Sequence, residues 1–471
     1  MAILNANFNA DDYVLSSSKR VITCTSNEIV GNFSYRFLLE LEYDSKTYSY
    51  TFRPNNSQYG LLNITKILQT IVQPTIVQEV LTVPDAVNTT ATVNDFQQNI
   101  HTMPHQKRDS GAYVPQFLST GNLGAKRVKA TLFDFYSTTA TGTPSKQGVG
   151  VADFLYVLAG QGLETDLINE SFDTYKLTSA TKKFISGNYE QISPTLNNIN
   201  VALTDYGTLT FLNRTLQVNT AAETEYIKIS YKGSSGITNQ ILTNSAANGG
   251  EFGSGGSVDG SMLIIAAVYP ANLNKLPATF TRPSDIAGLE YYDVSTSNAA
   301  GSIIESVSYR FTIKERCEKY DPQRFAYINS LGAWEYITFT EKRTDRRVSK
   351  STKIKGSIFD YDTTFTNIQT GYNEKPYVSG VGHTSERIVS SNILESFIIN
   401  TGYLSISDTK KVEDLFISNL IHYINDDGTA RAVLLTSASL PFIKNKNKDY
   451  TQTKYTLNFT YSVPTFNNLI Y

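Results

Sequence analysis

The chain has 471 residues and carries 41 Lys and Arg against 43 Asp and Glu, a formal net charge of −2. That length exceeds what one small core organises, so about two to four domains are expected, and the balanced charge argues against a polyanion as a global partner. The 30 Tyr and 24 Phe exclude a chain disordered throughout, and abundant Thr, Ser, Asn, Val and Ile favour strands joined by turns over long helices.

The two cysteines, Cys24 and Cys317, are too few for a disulfide scaffold and read as buried thiols. The opening residues MAILNANFNADDY lack a charged start and a long apolar run, so no secretory signal is expected. The longest apolar run, near 262–269, falls well short of the roughly 20 residues that cross a bilayer. A soluble product made in the cytosol follows as the expectation.

Phe33, Tyr35, Phe37, Leu39 and Leu41 alternate with mostly polar residues and predict one face of a strand, with 47–52 as its returning partner. Ile64, Ile67, Leu68 and Ile71 have helical spacing and predict a short helix ending before Pro74. From 84 to 124 the pattern predicts long loops around brief strands. Residues 128–136 alternate as a strand, and 138–150 read as a turn-rich loop. Apolar runs flank Pro194, and 205–207 is a candidate boundary. A strand is predicted over 225–231, followed by a Gly/Ser/Asn-rich loop over 232–261, a length typical of binding or flexible surface loops. A buried strand is predicted over 262–269. No repeat period runs through these elements, which disfavours solenoids and propellers.

The most distinctive stretch is 309–339. Tyr309, Phe311 and Ile313 alternate as a strand, Asp321-Pro322 breaks it, and an aromatic run ends at Asn329. A turn at Gly332 and the sole tryptophan, Trp334, lead into a second alternating run. Phe325, Asn329, Gly332 and Trp334 are the candidate structural anchors of the third unit, with Trp334, Phe325 and Phe339 expected to pack beneath the turn. Further on, Val412, Leu415, Phe416, Asn419, Leu420 and Tyr423 predict an amphipathic helix capped by Asp408, and strands are predicted at 432–436, 440–443 and 455–461. The fold class expected is mainly β: sandwich-like units with a few short helices. The units are an N-terminal β-rich domain over 1–205, a middle β domain over 206–305 with the 232–261 loop, and a C-terminal β domain over 306–471 with one packed helix near 409–423.

Motifs for chemistry are absent. The glycines at 249–260 lack the Lys-Ser/Thr ending of a phosphate loop, and Gly148-Val149-Gly150 lacks a third glycine. His101 and His105 are separated by Pro104, which breaks the helix a zinc pair needs. No GxSxG elbow is present, and paired glycosidase carboxylates have no recognisable spacing. No enzyme activity, cofactor or metal is therefore expected. One charged feature has shape, a basic band comprising Lys342, Arg343, Arg346, Arg347, Lys350, Lys353 and Lys355. Arg343, Arg346, Arg347, Lys350 and Lys353 are the candidate interaction residues. The competing reading is a solvated strand whose charges blunt a sheet edge. Aromatics interleave here at core spacing, which argues against nucleic acid.

The 309–339 stretch, with Cys317, Tyr320, Arg324, Asn329, Leu331-Gly332 and the aromatic strand after them, resembles a pattern in structural proteins of tailed bacteriophages that infect Bacteroidetes-type bacteria. The resemblance extends to the N-terminal strand pair, Pro54 and the helix at 61–71. It includes Phe184-Ile185-Ser186 leading to Thr208-Leu209-Thr210-Phe211-Leu212, the helix at 410–423 and the last strand at 455–461. The Gly-rich loop and the region from 80 to 124 depart from it. The resemblance implies a virion component of the tail, baseplate or head–tail region, made in the bacterial host cytoplasm, whose partners are other virion proteins and copies of itself. Alternatives are a fibre or adhesin that binds a host-surface glycan, a minor capsid or decoration protein, and a polysaccharide depolymerase on a β scaffold.

Overall fold

The computed structural model describes residues 4–8, 13–43, 46–72, 106–109, 112–115, 118–120, 125–160, 172–177, 179–212, 226–243, 263–274, 276, 280–298, 303–315, 319–355, 360–361, 374–375, 386–426, 430–438, 454–462 and 466–469. The protein is mainly β, with several multi-stranded sheets and few helices. No helix among the described residues is long and apolar enough to cross a membrane.

Two sheets form the N-terminal sandwich. Val21–Ser26 pairs antiparallel with Leu4–Asn7 and Gly60–Asn63. The other sheet runs in the order Val14–Leu15, Ser145–Leu158, Ala125–Ser137, Phe33–Tyr43, Lys46–Phe52. Their inward residues share one core, in which Ile22 and Cys24 meet Phe37, Leu39, Leu41, Val128 and Leu155. The predicted helix is Thr65–Ile71, and its Leu68 and Ile71 close that core. Burial pushes the Cys24 thiol up to about 12, so it is an inert core group; Cys317 lies outside the described residues. Gly60 is required beneath it, because a Cβ there would stand 2.4 Å from Cys24 Sγ. The loop expected over 138–150 is shorter than that. The strand resumes at Ser145, Gly148 takes φ +68° near a register shift, and Gly150 lets the Phe133 ring lie against the backbone. Both glycines serve the pleat.

The middle sheet is seven-stranded, in the order Gln191–Ser193, Leu196–Val201, Ser308–Ile313, Tyr291–Asn298, Tyr226–Gly233, Gly236–Thr243, with Ile303–Ile304 also on Tyr291–Asn298. Leu196–Val201 and Ser308–Ile313 are parallel partners. The sheet therefore crosses both domain limits expected from sequence, 205/206 and 305/306, and residues 205–207, the candidate boundary, are buried. A parallel pair needs a long crossover, and the whole segment between these strands supplies it. The expected 232–261 loop is also corrected. Gly236–Thr243 returns as a strand on Tyr226–Gly233 through a tight turn with Gly236 at φ +114°, while 244–261 lies outside the described residues. The strand expected over 262–269 is Leu263–Ala266, which joins Leu209–Leu212 and Leu118–Thr120 in a small sheet.

The C-terminal sheet is eight-stranded, in the order Trp334–Phe339, Gln323–Ile328, Ile421–Ile424, Ala430–Ala438, Thr456–Tyr461, Glu386–Asn400, Arg343–Lys355, with Phe466–Leu469 on Glu386–Asn400. Its helix is Ile406–Ile417, shorter than predicted and capped by Ser405, whose Oγ accepts the Asp408 N–H at 3.1 Å. Ile421–Ile424 is a strand because its backbone pairs on both sides, with Gln323–Ile328 and Ala430–Ala438. Ser418 Oγ accepts the Ile328 N–H at 3.1 Å and fixes the break between them. The strand expected over 440–443 lies outside the described residues.

Candidate functional site

The hairpin Gln323–Ile328/Trp334–Phe339 is buried on both faces, which a half-buried surface hairpin is not. Alternation sends Ala326, Ile328, Trp334 and Tyr336 into the core of the middle unit, where Tyr336 and Phe311 both lie against Tyr269 at 5.2 and 5.0 Å. Phe325, Tyr327, Ile337 and Phe339 face the other way, into the core closed by Val412 and Leu415 of the helix. Trp334 is thus an anchor of the middle core, beside His422 at 5.6 Å. It does not share a layer with Phe325 and Phe339, as was expected. Phe325 stacks on Phe459 at 4.7 Å and lies 5.8 Å from Phe339.

Asn329 and Gly332 make the hairpin turn. Asn329 Oδ1 accepts the backbone N–H of Leu331 and of Ala333, at 3.0 and 2.9 Å, which shapes the turn. Its Nδ2 donates to the Ile185 carbonyl at 2.9 Å and to Glu335 Oε1 at 3.2 Å. Gly332 takes φ +88°, and a Cβ on it would lie 2.8 Å from the Ala159 carbonyl carbon and 2.9 Å from Gly160 N. The turn therefore presses on the last residues of the N-terminal sandwich.

Glu335 is the unusual group here. It is 3% exposed, and its Oε1 accepts the Gly187 N–H at 2.7 Å as well as the Asn329 amide. Burial pushes its carboxyl up to about 8, outweighing these two hydrogen bonds and the pull of Lys411. It is a neutral acid at and below neutral pH. Close by, the Tyr189 hydroxyl donates to Asp414 Oδ2 at 2.5 Å, and Tyr327 reaches Tyr189 at 3.4 Å. Burial raises Asp414 as well, and holds both tyrosines well above the ordinary phenol range. The 184–189 loop is held from the middle sheet too, since Tyr309 Oη accepts the Phe184 N–H at 2.7 Å and donates to Asn188 Oδ1 at 2.9 Å.

A second polar group seals the same joint. Arg324, 4% exposed, bridges Asp205 at 3.2 Å and Asp426 at 2.6 Å and donates to Thr204 at 3.0 Å. Asp205 also accepts the Ala202 N–H at 2.9 Å. Beside it opens a cleft of about 490 Å³ lined by Glu190, Asn200, Asp205, Tyr206, Tyr269, Lys314, Glu315, Tyr336, Thr338 and, from the start of the helix, Ser405, Asp408 and Lys411. Among the described residues no cluster of three or more His, Cys, Asp or Glu is placed to hold a metal ion. What this arrangement does chemically is hold distant segments of the chain together through hydrogen-bonded, buried polar groups.

The candidate interaction residues lie elsewhere, on the edge strand Arg343–Lys355. Arg343 is engaged inside the protein. Its guanidinium lies 4.2 Å over Phe397 and 5.0 Å from Tyr423, and it bonds Asp345, Gln323 and Tyr461. Arg346 and Lys353 are exposed, and Arg347 is exposed and paired with Glu395 at 2.8 Å. The Lys350 side chain lies outside the described residues. Sequence reasoning missed Glu335, Asp205, Tyr189 and Asp414. For Glu335 the signal was present, an acid on the same alternating face as Ile337 and Phe339; the other three carry no local mark.

Neither protein-family models nor curated proteins yield a match to this chain.

Proposed function

We propose that the chain is a non-enzymatic structural subunit of a tailed-bacteriophage particle, in its tail, baseplate or head–tail region, that assembles with copies of itself and with other virion proteins. The observation that carries this reading is a long two-stranded β-ribbon at the edge of the C-terminal sheet. Arg343–Lys355 has 13 residues and pairs along its length with the 15-residue Glu386–Asn400, on the order of 40 Å of strand. Over 394–400, the part of Glu386–Asn400 whose side chains are described, Phe397 and Ile399 enter the core. The rest of the ribbon offers exposed Arg346, Arg347 and Lys353 and takes Phe466–Leu469 as a third strand. A ribbon of this kind gives a subunit reach toward neighbours.

The joint described above fits the same role. The residues that carry the family resemblance, Phe184-Ile185-Ser186, Thr210, Arg324, Asn329 and Gly332, are far apart in sequence and converge on the hydrogen bonds that lock the units together. Ile185 N–H donates to the Thr210 carbonyl at 3.0 Å, and Ser186 Oγ accepts the Thr210 N–H at 2.7 Å. The test is mass spectrometry and reconstruction of purified particles. The chain is expected in them at a fixed, symmetric copy number, and its absence from particles overturns the reading.

A further inference from the structure

Gly236–Thr243 is the terminal strand of the middle sheet and, among the described residues, pairs only with Tyr226–Gly233. Its sequence, GITNQILT, holds no charged residue and no proline, the two common devices that keep a free edge from pairing. A longer edge, Arg343–Lys355, is guarded by exposed Arg346, Arg347 and Lys353. Along Gly236–Thr243 the sides alternate. Gln240 and Leu242 are buried, whereas Ile237 is 66% and Ile241 43% exposed, with Asn239 exposed between them.

We propose that two copies of the chain join edge to edge through Gly236–Thr243, antiparallel, about a two-fold axis at Asn239. The spacing of the side chains selects that register. An antiparallel pair across a two-fold must match residues on the same face. Centring it on Asn239 sets Ile237 of each copy opposite Ile241 of the other and Asn239 opposite Asn239. Centring it on Thr238 or Gln240 sets an isoleucine opposite Asn239 instead. The occupant is a second copy because the edge is uncharged throughout and its apolar positions complement their own reversal. One eight-residue edge is smaller than the roughly 1,600 Å² of a standard interface, so the contact is concentration-dependent and is reinforced where copies are already gathered.

This inference rests on the reading of the chain as a self-assembling subunit and names the contact. Asn239→Cys tests it. Directly opposed residues have Cα atoms about 4.5–5.5 Å apart, within the range a disulfide spans, whereas the two copies' positions 241 stand roughly 13 Å apart. Under mild oxidation of concentrated full-length protein, Asn239→Cys is expected to give covalent dimer several-fold above wild type, and Ile241→Cys is expected to stay at the wild-type level. Ile237→Lys is expected to shift sedimentation toward monomer and to speed amide exchange over 237–241, with thermal unfolding unchanged. Equal cross-linking at positions 239 and 241 overturns the register. No cross-link at 239 while wild type sediments as an oligomer overturns this edge and leaves the subunit reading standing. A wild type monomeric at every concentration, with no cross-link, overturns both the edge and self-assembly in isolation.

Discussion

Replacing Glu335 by Gln keeps an oxygen for the Gly187 N–H and the Asn329 amide and removes the titratable proton. Burial raises this carboxyl from 4.5 to about 8. Between those values the folded protein holds a proton that the unfolded chain has released, so the unfolded state binds fewer protons and stability falls as pH rises. At about 1.4 kcal/mol per pH unit the whole interval is worth about 5 kcal/mol at most, and relaxation of the joint brings the expected loss to about 3 kcal/mol. The assay is denaturant unfolding of wild type and Glu335→Gln at about pH 5, 7 and 9, with stabilities subtracted at each pH so that other groups cancel. The two proteins are expected to match near pH 5, and the variant to gain steadily until the difference levels off above about pH 8. A difference that does not change with pH refutes the reasoning, because the proton would then not be held at this carboxyl.

Gly332→Ala must place a Cβ against the backbone of Ala159 and Gly160 at φ +88° and is expected to cost about 2–4 kcal/mol in thermal unfolding. Gly31→Ala, at φ +101° with nothing within 4 Å, is expected to cost only about 1 kcal/mol, which separates the clash from the dihedral. Arg324→Met leaves the Asp205 carboxylate buried without its cation; a loss of about 3–5 kcal/mol is expected, partly recovered by adding Asp205→Asn. Arg343→Lys keeps the charge but loses the planar stack on Phe397 and the fork of bonds, so it is expected to cost about 1–2 kcal/mol, nearly as much as Arg343→Ala. Burial lowers His422 from 6.5 to about 4. Wild type is therefore expected to lose stability as pH falls through that interval, by about 3.5 kcal/mol at most and by about 2 kcal/mol once the partial exposure of the ring is discounted, and His422→Phe to lose this part of the acid limb in the same titration.

Local periodicity was legible where one face is buried and the other wet. Phe33–Tyr43 from Tyr35 onward, with its partner Lys46–Phe52, the core positions of Thr65–Ile71 and the strand Thr456–Tyr461 follow their alternation or spacing, whereas Phe33, expected on the buried face, is exposed. It failed where burial is on both sides or where polar residues line a strand. Gly236–Thr243 reads as loop because Gly, Thr, Asn and Gln fill more than half of it and interrupt the apolar alternation. Ile421–Ile424 reads as the end of a helix because its Tyr423 falls at helical spacing from Leu420 and Phe416, while the strands on both sides of it claim its backbone. The basic band divides the same way. Arg343, 19% exposed at its side chain, cannot be told from Arg347, 78% exposed, by anything in the residues around them.

The stretch 309–339 shows where the division falls. By themselves the residues determined two alternating runs, a turn at Asn329–Gly332 and a mainly β chain, because strand alternation and turn chemistry depend on neighbours a few positions away. Only the tertiary structure decided that Ser308–Ile313 belongs to the middle sheet beside Leu196–Val201 and that the following hairpin is a slab between two cores. The pairing of Ser308–Ile313 with Leu196–Val201 and of Gln323–Ile328 with Ile421–Ile424, like the two-sided burial, joins segments far apart in the chain, whose order leaves no mark on the local pattern. The same holds for Glu335. The acid is written in the chain, but its proton is held by desolvation, which exists only once Gly187, Asn329 and the helix Ile406–Ile417 close around it.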